Sequence, residues 1–124
     1  MILGVGVDLT PVSRMTLAME RHPERLETRL FTTQERAYCR ARVNSAQHFA
    51  ARFAAKEAVL KALRVPPGLT WHELEVVCDE GGAPRLELHG EAARAAERAG
   101  VLRLHLSLTH ADDQAIAFVV AEGA

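Results

Sequence analysis

A chain of 124 residues has the length of one ordinary domain and leaves no room for a second independent core. Apolar residues make up 48% and charged residues 25%, the balance of a globular protein that folds without disulfide staples. Lys and Arg number 15 against 16 Asp and Glu, and this net charge of -1 excludes a bulk basic field for nucleic acid or an anionic membrane, so a charged partner has to meet a local patch.

Residues 2–9 alternate with period two and are rich in Val, which predicts a strand with Leu3, Val5, Val7 and Leu9 on one face. Ile2, Gly4, Gly6 and Asp8 occupy the other face. After Pro11 a short helix is expected from Val12 to about Glu20, ending before His22-Pro23 because the residue ahead of a proline avoids helical geometry. Residues 24–30 continue as a turn or a second short helix. Thr32-Thr33-Gln34-Glu35 has the form of a capping box, in which the Thr and Glu side chains satisfy each other's backbone N–H groups, so a helix is expected over 33–41. Ala46 to Leu63 carries Phe49, Phe53, Leu60 and Leu63 at helical spacing, and Pro66-Pro67-Gly68 closes this long helix.

From residue 70 the period changes to two. Leu74, Val76 and Cys78 alternate with Glu73, Glu75 and Asp79, a turn follows through Glu80-Gly81-Gly82-Ala83-Pro84, and Leu86 and Leu88 return as the second strand of a hairpin. Gly90 and Gly100 bracket an alanine-rich helix. Leu102, Leu104, Leu106 and Leu108 then alternate with Arg103, His105, Ser107 and Thr109, and a turn over 111–114 leads into a last strand from Ala115 to Ala121. No internal repeat or linker interrupts the chain, and the order of elements gives an α+β fold, a single domain over residues 1–124. Cys39 and Cys78 form neither a Cys-x-x-Cys pair nor a metal cluster, which suits a reducing compartment and argues against a disulfide. The N-terminus lacks a basic leader and no apolar run approaches the ~20 residues of a membrane helix, so a cytoplasmic protein with no membrane partner is expected.

Asp8 is the first unusual placement, because it ends an apolar strand on the face that two glycines have stripped of side chains. It either caps the turn through Thr10-Pro11 or faces something packed closely against that side. In the long helix, Glu57 and Lys61 lie side by side at the edge of the apolar stripe and Lys56 falls near its middle. Read alone, Glu57 and Lys61 are an ordinary i,i+4 pair contributing ~0.3–0.5 kcal/mol, with Lys56 extending its stem to water. Read together with Asp8, they are two carboxylates and two lysines able to hold a divalent cation against a phosphate. Magnesium takes one or two protein carboxylates and completes its shell with water and substrate phosphates.

At these residues the sequence resembles the short bacterial type of 4'-phosphopantetheinyl transferase, the holo-acyl-carrier-protein synthases. Three blocks carry the resemblance: Gly4-Val5-Gly6-Val7-Asp8-Leu9, Arg52-Phe53-Ala54-Ala55-Lys56-Glu57-Ala58 continuing to Lys61-Ala62-Leu63, and Ser107-Leu108-Thr109-His110. Phe31-Thr32-x-x-Glu35 and Gly82-x-Pro84 add weaker matches in the same order. The resemblance implies a mostly antiparallel sheet packed on a long central helix. It also implies transfer of the phosphopantetheine arm of coenzyme A to a serine of apo acyl carrier protein, in support of fatty acid biosynthesis.

For the site, the resemblance assigns Asp8 and Glu57 to Mg2+, and Arg52, Lys56, Lys61, Gly82, Pro84, Thr109 and His110 to coenzyme A. Lys61 doubles as a catalytic group, and Glu35 is the candidate general base, a role its capping-box hydrogen bonds compete with. Arg14, Met15, Arg21 and Arg25 are expected to meet the acidic carrier protein, although Glu20, Glu24 and Glu27 dilute the patch. Ala83 stands where family members often carry a basic residue, so one phosphate contact is missing or passes to Arg85. The chain has about half the length of the larger transferases, which implies a homotrimer with sites at subunit boundaries. A non-catalytic module that binds coenzyme A or an acidic protein is the competing expectation, and the joint presence of Asp8, Glu57 and Lys61 speaks against it.

Overall fold

The computed structural model describes residues 1–65 and 68–124. Its elements are strand β1 (Ile2–Pro11), helices α1 (Val12–Arg21), α2 (Arg25–Leu30), α3 (Thr33–Arg40) and α4 (Ser45–Leu63), the hairpin β2 (Leu74–Cys78) and β3 (Pro84–Leu88), helix α5 (Gly90–Arg98), and the long hairpin β4 (Val101–Ala111) and β5 (Gln114–Gly123). The expected closure of α4 by Pro66 and Pro67 lies outside the described residues; within them, Arg64 ends the helix in a left-handed conformation.

Two antiparallel sheets result, one of three strands in the order β1-β5-β4 and one formed by β2 and β3. Both lie along α4, so the fold is the α+β arrangement with a sheet on a central helix. Nine residues of α4 are buried, including Arg52 and Lys56, because the helix is enclosed by β1, β5, α1, α3 and β2. Its buried face is built mainly from Ala54, Ala55, Ala58, Val59 and Ala62, which let strands approach the helix backbone. Leu74, Val76, Val119 and Ala121 are among the residues that join that cluster, while Met15, Phe31, Cys39 and Phe49 belong to a second one under α1–α3.

The β1 alternation is present, but its inner face is the glycine face. Leu3, Val5, Val7 and Leu9 point away from α4, and Val5, Val7 and Leu9 remain more than half exposed, at 55%, 54% and 51%. Val7 pairs with Phe118 of β5, which is 45% exposed, so the outer side of the sheet carries a continuous apolar strip. Period two fixes which residues share a face and says nothing about which face meets the core.

Candidate active site

The site begins where β1 crosses α4. A Cβ added to Gly4 or Gly6 would collide with the carbonyl oxygen of Ala62 or Ala58, so only glycine lets the strand lie this close to the helix. Asp8 follows on the same face of the strand and arrives at the flank of α4 that carries Glu57 and Lys61. The Lys61 ammonium donates to Asp8 Oδ1 at 3.1 Å and to the Val7 carbonyl at 2.9 Å. Partial burial and then the negative charge of Asp8 push the Glu57 carboxyl above its usual range, and Lys61 pulls it partly back. Two carboxylates 49 positions apart in the chain therefore share one electrostatic site. The turn-capping alternative for Asp8 is represented by one long hydrogen bond, from Thr10 Oγ1 at 3.4 Å.

Among the described residues, no group of three or more His, Cys, Asp or Glu stands close enough to hold a metal by itself. Two carboxylates fit a magnesium ion whose remaining ligands come from water and a substrate phosphate, which is how this ion is ordinarily bound at phosphate-transfer sites.

A second component is a cavity of about 210 Å³ between α3, α4, the β2–β3 hairpin and the end of β4. Five of the residues expected to contact coenzyme A line it: Arg52, Gly82, Pro84, Thr109 and His110. Tyr38, Gln47, His48 and Cys78 line it as well, and sequence reasoning passed over all four. His48 forms no histidine cluster in the sequence, and the one available signal was its place one turn before Arg52. Tyr38 stacks against guanidinium groups, with Arg42 at 3.4 Å and Arg52 at 4.1 Å from its ring centre. Arg52 is almost fully buried and donates weakly to Cys78 Sγ at 3.5 Å, while its Nε has no partner. Arg85 pairs with Glu87 at 3.3 Å.

Two residues expected at the site are instead the center of the fold. Glu35 is buried: Oε1 accepts from Thr32 N at 2.9 Å and from Lys56 Nζ at 2.8 Å, and Oε2 accepts from Val76 N at 2.9 Å. The capping box is formed, and the carboxylate it uses has no access to an attacking hydroxyl, which corrects the expectation of Glu35 as general base. Lys56 is fully buried and spends its three donors on Glu35, the Trp71 carbonyl and the Leu74 carbonyl, which corrects the expectation that it contacts phosphate. Burial pushes its ammonium below the usual lysine range while Glu35 pulls it back. Beside this pair, Thr32 and His89 hold Glu75 at 2.6 and 2.9 Å.

On α1, Arg14 and Arg21 are exposed, as is Arg25 at the start of α2. Met15 is buried in the second core cluster and cannot meet a partner, which corrects its assignment to the docking surface. Leu17, 48% exposed and spaced three and four residues from the two arginines, is the apolar group on that face that the sequence reading overlooked.

An acid pair backed by a lysine, together with a cation-rich cavity on another side of the same helix, defines a protein suited to engaging a phosphorylated ligand. The chain belongs to the 4'-phosphopantetheinyl transferase superfamily, whose family model matches residues 4–119. It is 52% identical over 124 residues to the holo-[acyl-carrier-protein] synthase of Desulforudis audaxviator, covering 99% of this chain and 95% of that one. The corresponding synthase of Anaeromyxobacter dehalogenans is 50% identical over 128 residues, covering 100% and 98%. Among solved structures, the synthase of Neisseria meningitidis superposes with a TM-score of 0.90 at 27% identity, covering 98% and 99%. The coenzyme A complex of the Helicobacter pylori synthase gives 0.83 at 26% identity, covering 95% and 99%.

Proposed function

We propose that this chain transfers the 4'-phosphopantetheine moiety of coenzyme A to a serine of an apo acyl carrier protein, releasing adenosine 3',5'-bisphosphate, in the cytoplasm and in support of fatty acid biosynthesis. The observation that carries this reading is the acid pair: glycines that admit β1 to α4 place Asp8 beside Glu57, with Lys61 bonded to Asp8. The two carboxylates would hold Mg2+, which when bound neutralises charge on the coenzyme A diphosphate. Lys61 sits half-exposed at the rim, where its ammonium can turn from Asp8 to a phosphate oxygen. Arg52, Thr109 and His110 bind the nucleotide end in the cavity, where Gly82 and Pro84 shape the wall. Arg14, Arg21 and Arg25, with Leu17 in place of Met15, form the surface for the acidic carrier protein.

The site is completed between copies of the chain, as a homotrimer. Arg52 and Glu57 are five residues apart on α4, which sends them about 140° from each other around the helix axis. The cavity of one subunit and the acid pair of its neighbour then form one site. The exposed strip of Val5, Val7, Leu9 and Phe118 supports this reading, since a soluble monomer rarely leaves such a surface to water.

The test is to incubate the protein with coenzyme A, magnesium and apo acyl carrier protein and to weigh the acceptor by mass spectrometry. One added phosphopantetheine is expected; an unchanged acceptor, in the presence of folded protein that binds coenzyme A, overturns the proposal. Phe118→Asp should abolish both assembly and transfer, read by light scattering and the same assay.

A further inference from the structure

We propose that His48 is a proton-coupled phosphate contact, taking up a proton when a phosphate group of coenzyme A enters the cavity lined by Arg52 and His110. This rests on the coenzyme A reading above and adds to it a residue and a pH dependence.

His48 is half-buried at the cavity wall, one turn of α4 before Arg52. Its imidazole meets the Tyr38 ring edge-on, with ring centres 5.8 Å apart and planes at 77°, so α3 fixes its orientation. The charged and titratable groups around it are Arg42 just beyond α3, Arg52 from its own helix, His110 from β4, the Tyr38 phenol, and the Cys78 thiol of β2 in the same cavity wall. Among the described residues no carboxylate lies within ion-pair distance of Arg42, Arg52, His48 or His110, so four cationic or basic side chains gather around one cavity without an acidic partner. Arg52 adds a buried Nε with no hydrogen-bond partner. The cluster is positive with no acidic side chain to balance it, which favours an anionic ligand.

Burial first and then the charges of Arg52, Arg42 and His110 hold the imidazole below its usual range, which disfavours the imidazolium. A bound phosphate reverses the local field and favours the imidazolium, which donates to a phosphate oxygen. The proton comes from solvent. By linkage, the affinity falls as pH rises between the free and bound pKa values, by up to roughly tenfold per pH unit if one full proton is taken up.

The experiment is calorimetry of coenzyme A binding to the full-length protein, without magnesium or carrier protein, in buffers of different ionisation enthalpy from pH 6 to 8. The wild type is expected to absorb up to one proton per site. His48→Gln should absorb less and show a flatter pH profile, with its largest loss of affinity at pH 6. Thermal melting checks that His48→Gln is folded, and NMR of the wild-type imidazole should show His48 titrating at higher pH once coenzyme A is added. Dephospho-coenzyme A separates two sources of the same chemistry: uptake lost with it assigns the contact to the 3'-phosphate, and uptake kept assigns it to the diphosphate. Equal proton uptake in wild type and His48→Gln, or coenzyme A binding without a shift of the His48 resonance, overturns the proposal. Failure of the wild type to bind coenzyme A at all would instead remove the reading on which it rests.

Discussion

Helix α4 carries two lysine–carboxylate arrangements five residues apart, and they have opposite fates. Lys56 and Glu35 meet at 2.8 Å with neither side chain exposed, and the donors and acceptors of both are met by protein groups. Lys61 and Asp8 meet at 3.1 Å at the surface, with side chains 54% and 19% exposed, and Glu57 stands beside them with its charge disfavoured. Five residues of helix turn one lysine into the enclosed side and the other to the rim. The inner pair joins α3, α4 and β2 and has no valence left for a ligand. The outer group has lone pairs facing water and an excess carboxylate, which is what a cation and a phosphate require.

Breaking the inner pair should have the largest effect. Lys56→Ala leaves Glu35 charged and buried and strips donors from the Trp71 and Leu74 carbonyls, with an expected loss of about 3–5 kcal/mol in urea unfolding. Removing both charges together, in Glu35→Gln with Lys56→Met, should cost less than Lys56→Ala alone, because no unpaired charge remains. The reverse order would mean that the pair is not the joint described here. In the outer group the expected phenotype is kinetic. Glu57→Ala should keep the fold and lose on the order of 10²–10³ in turnover, the scale of removing one preorganised electrostatic group. Near-normal transfer by that variant, folded and assembled, would exclude the metal assignment.

The contrast also marks what the sequence could reveal. Element types were legible from period two and period 3.6, whereas the glycines beside Asp8 signalled only a close approach, and the grouping of Asp8 with Glu57 and Lys61 came from the family resemblance. Lys56 falls near the middle of an apolar stripe, which read as a stem extending to water, because burial of a lysine depends on acceptors from α3 and β2 that no local pattern discloses. Glu35 carried two readings in one motif, and the capping box prevailed because Val76 N and Lys56 filled the remaining acceptor positions. The outward strip of β1 was invisible for another reason: an apolar face left outside the core has the same composition as one that meets it.

A smaller effect is expected on α1. Leu17→Ala should raise the KM for the carrier protein by roughly fivefold, about 1 kcal/mol, with melting unchanged, as for a modest apolar contact at an interface. Met15→Ala, from the neighbouring position, should instead lower stability and leave the KM of the folded protein as it was. A KM effect at Met15 with none at Leu17 would show that a different face of α1 meets the partner.

The smallest effect follows from the charge that Glu57 carries at some cost. Its folded pKa lies above the unfolded value, from burial first and then from Asp8, so the folded state favours the proton. Relative to a residue that cannot ionise, Glu57 contributes nothing unfavourable below the ordinary carboxylate range, where it is protonated folded and unfolded alike. As pH rises through the raised pKa the folded state must accept a disfavoured charge, and stability is lost. Glu57→Gln should therefore match the wild type in urea midpoint near pH 4 and exceed it by a margin that opens with pH and levels off at neutrality. Asp8→Asn in the same background should narrow that margin, because one source of repulsion has gone while Lys61 still attracts. A margin independent of pH, or untouched by Asp8→Asn, would mean that the two carboxylates do not share a field, and the outer group would then be no more reactive than the inner one.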